Sequence, residues 1–276
     1  MFQFWHFEEN QAHMSAEDLL QIPQLQASFE DREVLNPRDR EQLKALGIKV
    51  RGRKAWPQLR SYRPGLVPWH LEVAEVERLR IALEQVLVVA PRFKQTPKLL
   101  HVSGQNRFFV RVAKAEGDAI GWQDEVQKIT TVSEITIRFT MDLALLAAVK
   151  ALPRVQNTLE VDLFLMPTPI HERGERPYFP FNLLVGESKS GVILGTELLQ
   201  PLPSLEAMWA NVPLHIVRLL SQIGVIPAAL HVSSPMLMQL LSPLQAELDL
   251  QVKTKKRLPM LDNAKMEMMQ MMGRFG

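Results

Sequence analysis

Hydrophobic positions recur along the chain with two different periods, and the switches between them outline the elements. From Glu72 to Ala90, the residues Val76, Leu79, Leu83, Val86, Leu87 and Ala90 fall at three- and four-residue steps. That spacing predicts a helix, stopped by Pro91. From Thr158 to Met166, Leu159, Val161, Leu163 and Leu165 alternate with Glu160 and Asp162, which predicts a half-buried strand.

The weakly patterned residues 1–27 read as an N-terminal arm, and order is expected from a short strand at Ala27-Ser28-Phe29. Asn36 and Pro37 are placed to cap and open a helix that Gly47 closes, with Ile48-Lys49-Val50 following as a strand. Residues 51–69 hold three prolines and two glycines, which excludes a regular helix there. Strands are expected at Arg107–Val112 and Glu134–Phe139, and a helix at Met141–Ala151.

The proline-rich, charged run from Pro167 to Pro177 marks a domain boundary. It divides the chain into an α+β domain at 28–170 and an α/β domain at 175–276. In the second, Tyr178–Glu187 and Val192–Leu199 flank Ser188-Lys189-Ser190-Gly191 as a hairpin. A helical stretch from Ser204 to Gly224, kinked or split at Pro213, leads to a strand at Ala228–Val232. Ser234-Pro235 then caps a helix striped with Leu237, Leu240, Leu241 and Leu244. A strand at Leu248–Thr254 and a helix at Met260–Met272 complete the order β-β-α-β-α-β-α. The fold class is therefore α+β in two lobes, the second built on a mixed sheet.

Composition narrows the chemistry. With 276 residues a core can form without staples, and the absence of cysteine removes disulfides, thiolate metal sites and a cysteine nucleophile. It also fits a reducing cytoplasm. The N-terminus, MFQFWHFEENQ, lacks the pattern of a signal peptide, and the apolar run Leu143–Val149 is far too short to span a bilayer. A cytoplasmic protein with no membrane partner is expected. Net charge is only +2, so any attraction to nucleic acid has to come from local clustering.

One such cluster exists. Lys49, Arg51, Arg53, Lys54, Arg60 and Arg63 are interleaved with Trp56 and Tyr62, and Trp69 lies just beyond. Arginine grips phosphate and aromatic rings stack on bases, so the segment has the composition of a single-strand binding loop. The alternative is that its aromatics plug a core while its arginines pair with the acids of 30–41. A smaller basic run, Lys253, Lys255, Lys256 and Arg257, suits a solvated strand end. The C-terminal methionines Met266, Met268, Met269 and Met272 suit core packing or an adaptable partner surface.

Catalytic patterns are not evident. His171, His215 and His231 have no metal-ligand spacing, so no metal or other cofactor is expected. Ser233 and Ser234 lack the glycines of a nucleophile elbow, and no phosphate-binding glycine loop is present. The outline of the second lobe resembles ribonuclease-H-like nuclease and integrase cores, whose two-metal chemistry needs several converging carboxylates. Here the first strand ends Val185-Gly186-Glu187 and the later strand ends His231-Val232-Ser233-Ser234, so only Glu187 could serve, and if the outline is right the core is an empty version.

FEDRE at 29–33, RGRKAWP at 51–57, SYRPGLVPW at 61–69 and ALEQVLVVAPR at 82–92 resemble a family of uncharacterised bacterial proteins. RPYFPFNLL at 176–184, SGVILGTELLQP at 190–201 and the LP-x-LD pattern at 258–262 resemble its companion domain. The resemblance implies two adjoining domains of unknown function in a bacterial cytoplasm and supplies no catalytic residues. Relatives of this kind have a longer segment before the position of residue 28. The expectation from all of this is a non-enzymatic binding or adaptor protein with a protein partner. Two alternatives stand: a nucleic-acid-binding protein using the 49–69 loop, and an enzyme whose site, at the lobe interface, assembles distant residues such as Glu187, His171 and His231.

Overall fold

The computed structural model describes residues 23–117, 119–129, 137–172 and 174–273. They form an α+β protein in two units, one comprising residues up to 63 together with 68–134, the other 64–67 together with 135–276. Most of the expected arm, residues 1–22, lies outside the described residues.

The first unit begins with β1 (Gln24–Glu30), followed by α1 (Pro37–Ala45). Asn36 and Asp39 form a reciprocal capping box at the start of α1, with Pro37 in its first turn. At the other end Gly47 takes φ of +69°, and Gly47 and Ile48 donate their N–H groups to the carbonyls of Lys44 and Leu43. This double cap uses the backbone of Ile48, and the strand expected at 48–50 does not form.

β2 (Trp56–Tyr62) pairs antiparallel with β1, from Glu30↔Trp56 to Gln24↔Tyr62. α2 (Val73–Gln95) runs through Pro91 rather than stopping at it. The carbonyl that Pro91 leaves without a donor belongs to Leu87, which is exposed, so water can take the donor's place. β3 (Arg107–Glu116) and β4 (Ala119–Lys128) make a second antiparallel ribbon. The strand expected at 134–139 falls partly outside the described residues, and 137–139 have no regular structure.

The second unit contains α3 (Leu143–Lys150), β5 (Arg154–Leu165), β6 (Phe181–Glu187) and β7 (Ile193–Leu199). Then follow α4 (Leu205–Ile223), β8 (Ile226–Val232), α5 (Pro235–Leu248), β9 (Gln251–Thr254) and α6 (Pro259–Gly273). α4 is one helix despite Pro213, and Ser204 and Ser234 cap α4 and α5 as expected. The five strands lie in the order β7-β6-β5-β8-β9, with β5–β6–β7 antiparallel and β5–β8–β9 parallel.

The segment 154–165, expected to close the first lobe, is therefore the middle strand of the second unit. Its partners β6 and β8 lie on either side, so the boundary expected at 167–177 falls within one continuous sheet. The first strand is β5, not 178–187, which changes where acids should be sought.

Leu159, Val161, Leu183, Val185, Leu230 and Val232 line one sheet face beneath α4 and α5, whose Ile216, Leu220, Leu237, Leu240, Leu241 and Leu244 are all buried. The opposite face carries Leu184 and is covered by α6, through Leu258, Leu261, Met260 and Met268. The first unit differs sharply. Its only buried apolar side chains among the described residues are Leu35, Leu43 and Leu79, beside buried Asp39, Arg60, Ser61 and Glu75.

Residues 64–67 are a strap on the second unit. Phe179 donates its N–H to the Gly65 carbonyl and Val67 donates to Pro177. Gly65 has φ of +74°, and a Cβ there would lie 2.5 Å from Cβ of Pro201. Gly65→Ala is therefore expected to lower stability by about 1–3 kcal/mol or more in urea unfolding; an unchanged midpoint would contradict the tight seat.

Candidate functional site

The basic and aromatic residues of 49–69 come first. β2 turns Arg60 inward, where its guanidinium donates both arms to Asp39, at 2.8 and 2.5 Å. The pair is almost fully buried and is joined by His70, whose Nδ1 lies 3.6 Å from Asp39. Asp39 also accepts the backbone N–H of Asn36. Burial alone would raise the Asp39 pKa, but the Arg60 bonds and charge and the Asn36 N–H outweigh it and hold it below its ordinary value. Burial, helped by Arg38, lowers the His70 pKa and favours a neutral ring.

A second knot adjoins the first. Ser61 and Arg63 both donate to Glu75 of α2, and Arg63 also pairs with Glu72. Burial would raise the Glu75 pKa, but its bonds from Glu72, Arg63 and Ser61 bring it down. Lys54 reaches Glu30 at 2.9 Å and donates its backbone N–H to Asp31. Trp56 is half-buried with the Arg32 guanidinium 5.8 Å above its ring. Trp69 bridges to Ser61 by backbone bonds and sets its ring edge-on to His70, while Tyr62 is half-buried.

Three of the cations singled out from sequence, Lys54, Arg60 and Arg63, are thus bonded to acids of their own unit. Lys49, Arg51 and Arg53 are exposed and form no ion pair with any described residue.

Asp39→Ala leaves Arg60 buried without its counter-charge, an expected loss of about 3–5 kcal/mol in chemical denaturation. The pH dependence follows from the lowered carboxylate values. Because Asp39 and Glu75 titrate lower folded than unfolded, their contribution is complete above the unfolded value of about 4 and disappears as pH falls through the folded values. The first unit should weaken on acidification below about pH 4, less steeply in Asp39→Asn; equal acid profiles would refute this.

In the second unit the polar cluster sits on β5, and it involves residues the sequence did not single out. Glu160 and Asp162 are both buried although they alternate with leucine, because α6 covers that face. Glu160 accepts the backbone N–H of Leu261 in the first turn of α6 at 3.1 Å and the Ser188 hydroxyl at 3.2 Å. It answers the unpaired N–H groups of a helix start. Asp162 takes the Lys265 ammonium and the Ser233 hydroxyl, each at 2.6 Å. Lys265 also lies 4.4 Å over the Phe164 ring. The missed signal was Lys265, one turn beyond Leu261 on a helix read only for its methionines.

Lys265→Met is expected to cost about 1–3 kcal/mol by leaving Asp162 unpaired, and Asp162→Asn in the same background should recover part of it. A full additive loss in that double-mutant cycle would exclude the pairing.

Glu187, His171 and His231 are not gathered into one site. Glu187 pairs across from Leu159, whereas His231 pairs across from Glu160, so the two occupy opposite sheet faces. Glu187 caps the hairpin by accepting the Ser190 N–H, and hydrogen bonds from the Ser190 hydroxyl and then that N–H lower its pKa. Burial and the nearby Lys255 depress the His231 pKa. An open groove of about 280 Å³ between α4 and β7 presents Glu197, His215 and Arg218, with His215 Nδ1 2.7 Å from Glu197. Among the described residues no group of three or more histidines and acids could hold a metal ion. Of the C-terminal methionines, Met268 packs against the Leu184 cluster and Met266 is exposed. No helix among the described residues is long and apolar enough to cross a membrane.

No curated protein matches this chain. Residues 3–111 match a family described as a domain of unknown function, DUF7309, and residues 145–269 match a second, DUF6930. The chain is therefore a protein of two adjoining domains of unknown function, DUF7309 followed by DUF6930.

Proposed function

We propose that the protein is a non-enzymatic binding or adaptor protein of the bacterial cytoplasm, and that its first unit engages a protein partner. The observation that carries this is the outer face of α2. Of the periodic residues Val76, Leu79, Leu83, Val86 and Leu87, only Leu79 is buried; Leu87 is 75% exposed. A helix that shows a contiguous apolar stripe to water, in a unit with so small an apolar core, has the composition of an interaction surface.

Two features of the second unit support a scaffolding role over catalysis. The strand order, with β5 supplied, strengthens the ribonuclease-H-like outline, and its central strand does bear two carboxylates, Glu160 and Asp162. Yet Lys265 holds its ammonium against Asp162, where two-metal chemistry would need a free acid, and Glu160 is spent on the start of α6.

The nucleic-acid reading has less to draw on. With Lys54, Arg60 and Arg63 paired internally, Arg51 and Arg53 are the exposed arginines left in the segment. With Lys49, also exposed and unpaired among the described residues, they could make three phosphate contacts, which give a salt slope no steeper than about −3, and weak binding.

Affinity purification from the native host tests the proposal. Bound protein should disappear when Leu83→Glu and Leu87→Glu are introduced together, with the circular dichroism spectrum unchanged. Retention of the same partners would sink the reading; recovery of oligonucleotides with a steep salt slope would reinstate the nucleic-acid alternative.

A further inference from the structure

The exposed face of α2 has a finer pattern than a general apolar stripe. Val73, Val76, Arg80, Leu83, Leu87, Ala90 and Lys94 follow one another at steps of 3, 4, 3, 4, 3 and 4 residues. This is the a/d spacing of a coiled coil sustained over three heptads. All seven are exposed, including Val73 at 90%. The opposite side of the helix is the one the unit uses, through Glu75, Leu79 and Gln85, which accepts from Arg111. The seam is thus separate from the packing that holds α2 in place.

The geometry points to a second copy of this chain as its occupant, joined in an antiparallel two-helix seam centred between Leu83 and Leu87. This rests on the interaction-surface reading above and names the partner.

Self-pairing is favoured because the stripe is its own complement when reversed. Aligning Leu83 with Leu87 of the other copy places the largest apolar side chains together twice at the centre. The same register sets the small Ala90 opposite the long Arg80, whose guanidinium is already drawn outward by Glu77 and Glu84. At the ends Lys94 falls opposite Val76 and next to Glu77, so its stem covers an apolar residue while its ammonium meets an exposed acid. A parallel pair would instead set Arg80 against Arg80 and Lys94 against Lys94 within the seam, and although Glu77 and Glu84 answer each Arg80, the two Lys94 ammonium groups would face each other. Exchanging identical patches about a two-fold axis is the commonest way for a soluble chain to close an interface.

The full chain should show twice its 31.5 kDa mass by sedimentation at tens of micromolar, and Leu83→Glu with Leu87→Glu should halve it. Because the chain has no cysteine, orientation can be read directly. Mixing the single variants Leu83→Cys and Leu87→Cys under mild oxidation should give a disulfide-linked dimer, whereas Val76→Cys alone should give none. A wild-type monomer overturns the proposal, whether another protein or another segment of the chain then covers the seam. So does a covalent dimer from Val76→Cys with none from the mixture. If the wild type is monomeric but the glutamate pair still abolishes capture of host proteins, self-association fails and the binding reading stands.

Discussion

An ionised carboxylate removed from water has to be answered where it lies, and both units are organised around that requirement. On β5, Asp162 is met by Lys265 and Ser233, and Glu160 by the first turn of α6. Those two acids fix the last helix at two points along its length, and the apolar contacts of Leu258, Leu261 and Met260 fill the space between. In the first unit the Asp39–Arg60 pair and the Glu75–Ser61–Arg63 knot tie α1 and α2 to β2. Neither arrangement is strong evidence of high stability, since burying charge costs much of what pairing returns. Both are strong determinants of which arrangement is adopted, because a missing partner is so costly.

The two units balance apolar and polar burial differently. The five-stranded sheet has helices on both faces and a continuous core of leucine, isoleucine and valine. The sheets of the first unit are two-stranded ribbons, which bury little on their own, and its interior is as much ionic as apolar. The apolar residues that could have enlarged that interior lie instead along the outside of α2. The same sequence pattern that makes a helix fit for a core makes it fit for a partner, and the fold has used the polar edge for itself.

Local signals were read where local physics decides. The capping box at Asn36, the glycine stop at Gly47, the hairpin across Ser188–Gly191 and the serine caps of α4 and α5 each depend on residues within a few positions. β2 escaped notice because Pro57 and the surrounding arginines disguise a strand that exists through its pairing with β1. The acids of β5 looked like its solvent side, because alternation alone cannot show that a helix about a hundred residues later lies over them. Misplacing β5 in the first lobe had the same origin, since its proline-rich exit resembles a linker and only the strands on either side reveal it as a centre.

By itself, then, the sequence determined the class of the protein: α+β, free of cysteine, made of two adjoining domains of unknown function and lacking a compact catalytic motif. Periodicity, caps and composition act over short distances and survive in any arrangement of the chain. Tertiary structure alone decided the fate of the charged and apolar surfaces. It turned Arg60 and Arg63 toward Asp39 and Glu75, buried Glu160 and Asp162, and left Leu83 and Leu87 in water. Whether a guanidinium meets a partner or its own core depends on which acid long-range packing brings within reach.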